Sequence, residues 1–291
     1  MTVSQAASAV ERRPTAAGLT AIVLTLDEVE HLPDCLASLR FAEALLVVDS
    51  GSRDGTRALA EAAGATVIDH PFVNYSRQRQ FALGLSATRW VLFVDADERV
   101  PPPLADEIRR IVTASGTGGD DGGSAPVRTV PGGGEDRIPA GYWIPRANVF
   151  WGRTLRGGGW WPDHQLRLLD ARRARYDPLR AVHEVAALDG PSGRLVHPLV
   201  HLNYASWAEF DRKQRAYAHL DALRRQADGW RTRPHQWVTQ PLRAFYHRFV
   251  ALRGWRDGWL GLRLAVHMAG VEALTLSLLR GLSRGDSDRH D

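Results

Sequence analysis

Apolar residues gather in short runs along the first third of the chain, and each run ends on an acid. Leu19 to Leu26, Ala44 to Val48, Ala65 to Asp69 and Trp90 to Val94 show little polar alternation, so each reads as a strand covered on both faces. Between them lie stretches with helical spacing. Cys35 to Leu39 follows Pro33, Thr56 to Ala63 stops at Gly64, and Tyr75 to Leu85 precedes the fourth run. Pro101 to Val112 predicts a further helix, opened by prolines where a missing N–H costs little. Strands alternating with helices predict an α/β fold, a sheet flanked by helices.

The pattern then changes twice. Residues 113–138 are dominated by Gly, Ser, Thr, Asp and Pro, can bury little, and predict a loose surface insertion. From Ala140 the chain turns aromatic and Arg-rich. Tyr142–Ile144, Val149–Trp151, His164–Leu169 and Ala181–Val185 predict short strands, with a tight loop from Gly157 to Asp163. Ser206 and Glu209 have the spacing of a capping box opening a helix to Arg225. Pro241–Arg253 and Trp259–Leu282 predict two more helices. The expected organisation is a disordered tail over 1–17, one α/β domain over 18–204, a helical region over 205–283 and a second disordered tail over 284–291.

Composition narrows the function classes. Lys and Arg number 37 against 33 Asp and Glu, a net charge of only +4, and the aromatics and arginines sit beside apolar helical faces rather than in a polar groove. A nucleic-acid binder is therefore disfavoured. Cys35 is the single cysteine, which suits a reducing compartment, and no charged segment followed by an apolar core marks a signal peptide. The expectation is a cytoplasmic protein.

The chemistry sits at the strand ends. Asp95 and Asp97 flank Ala96 at the end of the fourth strand, where ligands of α/β sheets bind. Two carboxylates so close repel each other unless a cation lies between them. Mg²⁺ or Mn²⁺, bound by one or two carboxylates plus substrate phosphates, fits; a solvated acidic turn is the alternative. Asp49, Ser52 and Asp54 close the second strand, where a carboxylate can accept bonds from ribose hydroxyls or a base N–H; an ordinary Asp-Ser-Gly turn is the alternative. Thr25, Asp27 and Glu28 close the first. Three acidic ends converging on one crevice favour a site for a phosphorylated substrate.

These stretches carry a resemblance. LTAIVLTLDE, LLVVDSGSRDGT, NYSRQRQFAL and WVLFVDADERV resemble the nucleotide-sugar half of the inverting family 2 glycosyltransferases, which have the GT-A fold. GWWPDHQLRLL, AVHE, HLNYASWAEF and GWRDGWLGLRLAVH resemble the branch of lipopolysaccharide core glucosyltransferases, the WaaE-like proteins. Asp27 departs from the pattern, which usually has Asn there.

The resemblance implies a mixed, Rossmann-like sheet with a helical C-terminal appendage. It implies that Thr25, Asp27 and Glu28 line a uracil and ribose pocket with Asp49 and Asp54 beside them. Arg79 would approach the nucleotide, with a solvent-facing helix residue as the alternative, and Asp95 and Asp97 would hold a divalent metal on the diphosphate. An inverting transfer needs a base for the acceptor hydroxyl, and Asp163 and Glu184 are the candidates, Asp163 preferred. Trp161 suits a sugar platform, and His183 is either a metal ligand or a buried hydrogen-bonded side chain. Gln165 and Arg167 resemble the Q-x-x-R-W element of processive relatives, but the spacing differs and the Trp is missing.

The implied partners are a UDP-sugar donor, glucose in the first instance, and a lipid-linked or cell-surface saccharide acceptor. A sugar nucleotidyltransferase is the second enzyme reading, weakened by the lack of a Gly-rich phosphate loop, and a non-catalytic nucleotide-sugar binder or membrane scaffold is the third. Arg243, Arg248, Arg253, Arg256 and Arg263, mixed with aromatics, suit helices lying on the inner face of the plasma membrane, with ordinary helices packing on the catalytic domain as the alternative.

Overall fold

A computed structural model of the chain describes residues 16–115, 128–129, 138–178 and 185–287. The expectations for most of the N-terminal tail, for most of the 113–138 insertion, for most of the strand over Ala181–Val185 and for residues 288–291 lie outside this range, while a strand already begins at Ala16 and a helix runs on to Ser287, inside the expected tails. Two compact units emerge, Met1–Arg146 with His164–His201, and Ala147–Asp163 with Leu202–Asp291.

The first unit is built on β1 (Ala16–Thr25), β2 (Ala44–Asp49), β3 (Thr66–Asp69) and β4 (Thr88–Asp95). β1 pairs in parallel with both β2 and β4, and β3 pairs in parallel with β2. The helices α1 (Leu32–Ser38), α2 (Thr56–Ala62) and α3 (Tyr75–Gly84) fall between these strands as the spacing predicts, and α4 (Pro102–Ala114) follows them. Successive residues of a strand face opposite sides of the sheet. Ala21, Val23, Leu92 and Val94 pack on one side with Leu32, Leu36, Leu104 and Ile108. Ile22, Val91 and Phe93 pack on the other with Leu83 and Tyr176. Apolar layers on both faces explain why these strands read as unbroken apolar runs.

The later strands are β5 (Glu98–Arg99), β6 (Arg128–Thr129), β7 (Gly141–Phe150), β8 (Arg153–Thr154), β9 (Asp163–Asp170), β10 (Ala174–Arg175), β11 (Ala187–Leu188), β12 (Ser192–Arg194) and β13 (Leu199–Tyr204). β9 runs antiparallel to β4, so the sheet is mixed, in the order β3-β2-β1-β4-β9-β7-β12-β6. Two corrections follow. The two pieces predicted around Trp143 and Phe150 are one strand, running through Pro145. Within the segment expected to be a loose insertion, Arg128 and Thr129 pair antiparallel with β12.

The second unit gathers Phe150, Leu155, Tyr204, Phe210, Leu260 and Leu264 into a separate core. Its helices are α5 (Trp207–Ala227), α6 (Gln236–Tyr246) and α7 (Gly258–Ser287). Ser206 caps α5 by accepting the Glu209 N–H, as the capping box predicts. Pro241 lies inside α6 rather than opening it, and a π turn over His247–Ala251 follows.

Residues Gly254–Ser283 are long and apolar enough to cross a membrane by length and composition. Three of the ionisable residues that interrupt this stretch turn to α5. Arg263 stacks 3.8 Å from the Trp207 ring, His267 lies 3.5 Å from Asp211, and Glu272 accepts two bonds from Arg225. Two of the five arginines assigned to a lipid surface, Arg248 and Arg263, are therefore spent on packing inside this unit; Arg248 donates to the Gly158 carbonyl at 3.0 Å.

The loop after β8 is seated by close backbone approach. A Cβ on Gly157 would lie 2.1 Å from the Arg253 carbonyl oxygen, and one on Gly261 would lie 1.9 Å from that of Gly254. Neither backbone can yield as a side chain would. Gly261→Ala is expected to destabilise the second unit by about 1–3 kcal/mol. A thermal melt superimposable on wild type would refute the close contact.

Candidate active site

The first unit places three of the predicted acidic ends at one edge. The register pairs Thr25 with Asp49 and Leu24 with Asp95, so β1, β2 and β4 end level. This level edge is where a ligand meets the sheet.

Around β2 the acids build the loop. The buried Asp49 carboxylate accepts bonds from the Thr25 hydroxyl, the Gly51 and Ser52 N–H groups and the Ser52 hydroxyl. Burial alone would raise its pKa, but the bonds from Ser52, Thr25 and Gly51 hold it below the ordinary carboxylate value. Asp54 accepts from Thr56 and from the Val29 N–H at 3.1 Å, which ties this loop to the segment after β1. Asp27 sits at φ +55°, a left-handed conformation that Asp and Asn tolerate better than most residues. Its N–H donates to Ser52 Oγ at 2.9 Å, and its carboxylate accepts the Arg53 N–H at 2.7 Å. Asn could accept the same bond, so the departure from the family pattern leaves this tie intact.

At the end of β4 the charges interlock. Arg167 grips Asp95 with both terminal nitrogens and also reaches Glu98 Oε1 at 3.2 Å. Arg79 donates to Asp95 Oδ1 at 3.2 Å and lies over the Phe93 ring. It is only 6% exposed, which rules out the solvent-facing alternative. Arg146 stands 3.4 Å from Glu98. Burial would raise the Asp95 pKa, but Arg167 and Arg79 hold it far below the usual carboxylate range. Burial pushes the Glu98 carboxyl up, and the Asp95 charge adds to this. Glu98 Oε2 also accepts the Asp95 N–H at 2.9 Å, fixing the turn.

Asp95, Arg79, Arg146, Gln165 and Arg167 line a cleft of about 420 Å³, with Trp143 and His164 completing its wall. Ala96 is buried, and its carbonyl accepts from Arg99. Glu98 and Arg146 were missed from the sequence. Glu98 follows the acidic pair directly and could have been found there, whereas Arg146 has no local signal.

The metal expectation can be set against these side chains. Both oxygens of Asp95 are turned to guanidinium groups. Asp97 is 32% exposed, and its Oδ2 lies 3.2 Å from His201 Nε2, a neighbour the sequence did not suggest. Burial raises the Glu28 pKa, and the charge of Asp97 adds to it. Among the described residues no three acidic, His or Cys side chains form a metal cage. A carboxylate with an adjacent imidazole fits a Mg²⁺ or Mn²⁺ that takes its other ligands from a diphosphate and water. His183 and Glu184 lie outside the described residues.

In the second unit, Asp163 opens β9 and lies 3.4 Å from Asn148 Nδ2. Trp160 is packed against Phe150 and Phe210, while Trp161 is half-buried with no such ring stacking among the described residues.

A parallel β3-β2-β1-β4 set extended by the antiparallel β9 and flanked by helices is the GT-A fold. Residues 20–151 match the model of the family described as glycosyl transferase family 2. The lipopolysaccharide core biosynthesis glycosyltransferase LpsC of Rhizobium meliloti is 28% identical over 84% of this chain and 84% of its own length. An uncharacterized glycosyltransferase of Rickettsia felis is 37% identical, over 32% of this chain and 33% of that protein. Among solved structures, S. aureus TarS covers 71% of this chain and 40% of its own, at 14% identity and a TM-score of 0.44. Glucosyl-3-phosphoglycerate synthase from Mycobacterium tuberculosis, in complex with Mn²⁺, UDP and glucosyl-3-phosphoglycerate, covers 40% of this chain and 45% of its own, at 24% identity and a TM-score of 0.30.

Proposed function

We propose that this chain transfers a hexose, glucose in the first instance, from a UDP-sugar to a lipid-linked or cell-surface saccharide such as lipopolysaccharide core, with inversion at the anomeric carbon. The level acidic edge with its arginine-lined cleft carries this reading. The name of the R. meliloti relative supports the acceptor class.

Each side chain then has a task. Asp49 and Asp54 act by holding the loop, while Thr25, Asp27, Glu28 and Ser52 form the wall against which uridine lies. Arg79, Arg146 and Arg167 offer positive charge to the diphosphate as it departs. Asp97 and His201 would hold a divalent ion, which when bound offsets the same charge. Asp163 takes the proton from the acceptor hydroxyl. Trp161 offers a face for the acceptor sugar.

Calorimetric titration with UDP and other nucleotides, with and without Mn²⁺, tests the donor site. Binding is expected to prefer UDP, to require the metal, and to vanish in Asp97→Ala. A folded protein that binds no nucleotide would sink the reading.

A further inference from the structure

A second cavity, of about 430 Å³, lies wholly within the second unit and is lined by Arg153, Thr154, Arg156, Arg256, Asp257 and Leu260. Three arginines here face one acid, and Asp257 already accepts the Arg156 backbone N–H at 2.7 Å. In the cleft of the first unit the arginines are held by carboxylates, as Arg79 and Arg167 are by Asp95. Among the described residues Arg153, Arg156 and Arg256 make no ion pair and no side-chain hydrogen bond. Gathering like charges without partners raises the energy of the fold. A bound anion would offset part of this excess.

The surroundings say which anion. Trp255 and Trp259, neighbours in sequence of the lining residues Arg256 and Leu260, are 57% and 76% exposed. Tyr246 and Val250, a few residues earlier, are exposed as well. Exposed tryptophans beside arginines match the boundary between lipid headgroups and acyl chains, where the ring sits at headgroup level and the cation meets phosphate. A soluble phosphate would use the arginines and leave the tryptophans without a task.

We propose that this cavity binds the phosphate of an anionic membrane lipid, with Trp255 and Trp259 inserted beside it, and thereby docks the chain on a membrane. This deepens the proposed function by naming how the enzyme meets a lipid-linked acceptor. Its test reads partition, not transfer, so the two can fail separately.

The full-length protein would be floated with vesicles of phosphatidylcholine alone, and with vesicles also containing phosphatidylglycerol. Binding is expected only to the second. At about 1 kcal/mol for each arginine, the variant Arg153→Gln/Arg156→Gln/Arg256→Gln should bind roughly a hundredfold more weakly. Unchanged calorimetric binding of UDP and an unchanged melting temperature would show that variant to be folded. Trp255→Ser/Trp259→Ser should lose the vesicles but keep any rise in melting temperature given by inorganic phosphate. Wild-type partition by the triple arginine variant would overturn the proposal. So would a melting shift with phosphate in a wild-type protein that ignores anionic vesicles, which would assign the cavity to a soluble ligand.

Discussion

Arg167→Met is expected to lower stability by about 3–5 kcal/mol and to abolish nucleotide binding. Arg167 is the shared partner of Asp95 and of Glu98, whose side chain is fully buried. Without it, the cation left beside Glu98 among the described residues is Arg146, at 3.4 Å, and the Asp95 N–H is the neutral donor that remains. A buried charge stripped of its main partner is costly, and a few kcal/mol is a large part of a domain's whole stability. Lysine would not substitute, because the grip on Asp95 uses two nitrogens of one planar group. Urea denaturation reads the first effect as a lower midpoint with unchanged slope. The double variant Arg167→Met/Glu98→Leu separates the two effects. It should regain stability, since an apolar pair can replace a buried ion pair, but not nucleotide affinity. A single variant within about 1 kcal/mol of wild type would show that the cluster is not held as described.

The second large effect concerns the base. Asp163→Asn is expected to lower kcat by roughly 10²- to 10⁴-fold, the usual contribution of a positioned proton acceptor. UDP affinity should stay at the wild-type level, because the group acts on the acceptor. Asparagine preserves the contact with Asn148 while removing the charge. Glu184→Gln is the counterpart measurement. Turnover that survives Asp163→Asn and collapses in Glu184→Gln would transfer the role to Glu184.

Much of the first unit was legible because its strands are covered on both faces. Val91 to Val94 lie in two cores, so the sequence shows an unbroken apolar run at the right place. The capping box at Ser206 was legible for a similar reason, since its signal is local. The site was legible in its acids and not in their counter-charges. Asp95 meets Arg79 and Arg167, and Glu98 meets Arg146, across long sequence separations that periodicity cannot bridge. His201 reached Asp97 in the same way, through the pairing of β13 with β5. Arg248 and Arg263 were misassigned because a basic residue among aromatics looks alike whether it faces lipid or packs on a tryptophan.

The hub at Asp49 has a consequence for how quickly a nucleotide is recognised. Its carboxylate joins Thr25, Gly51 and Ser52 using only groups of the protein, so the loop has its shape before any ligand arrives. The disorder those residues lose is lost once, during folding, and is not lost again at each encounter. On the proposed function, a nucleotide arriving at this edge would meet a surface already formed and need not wait for one to assemble.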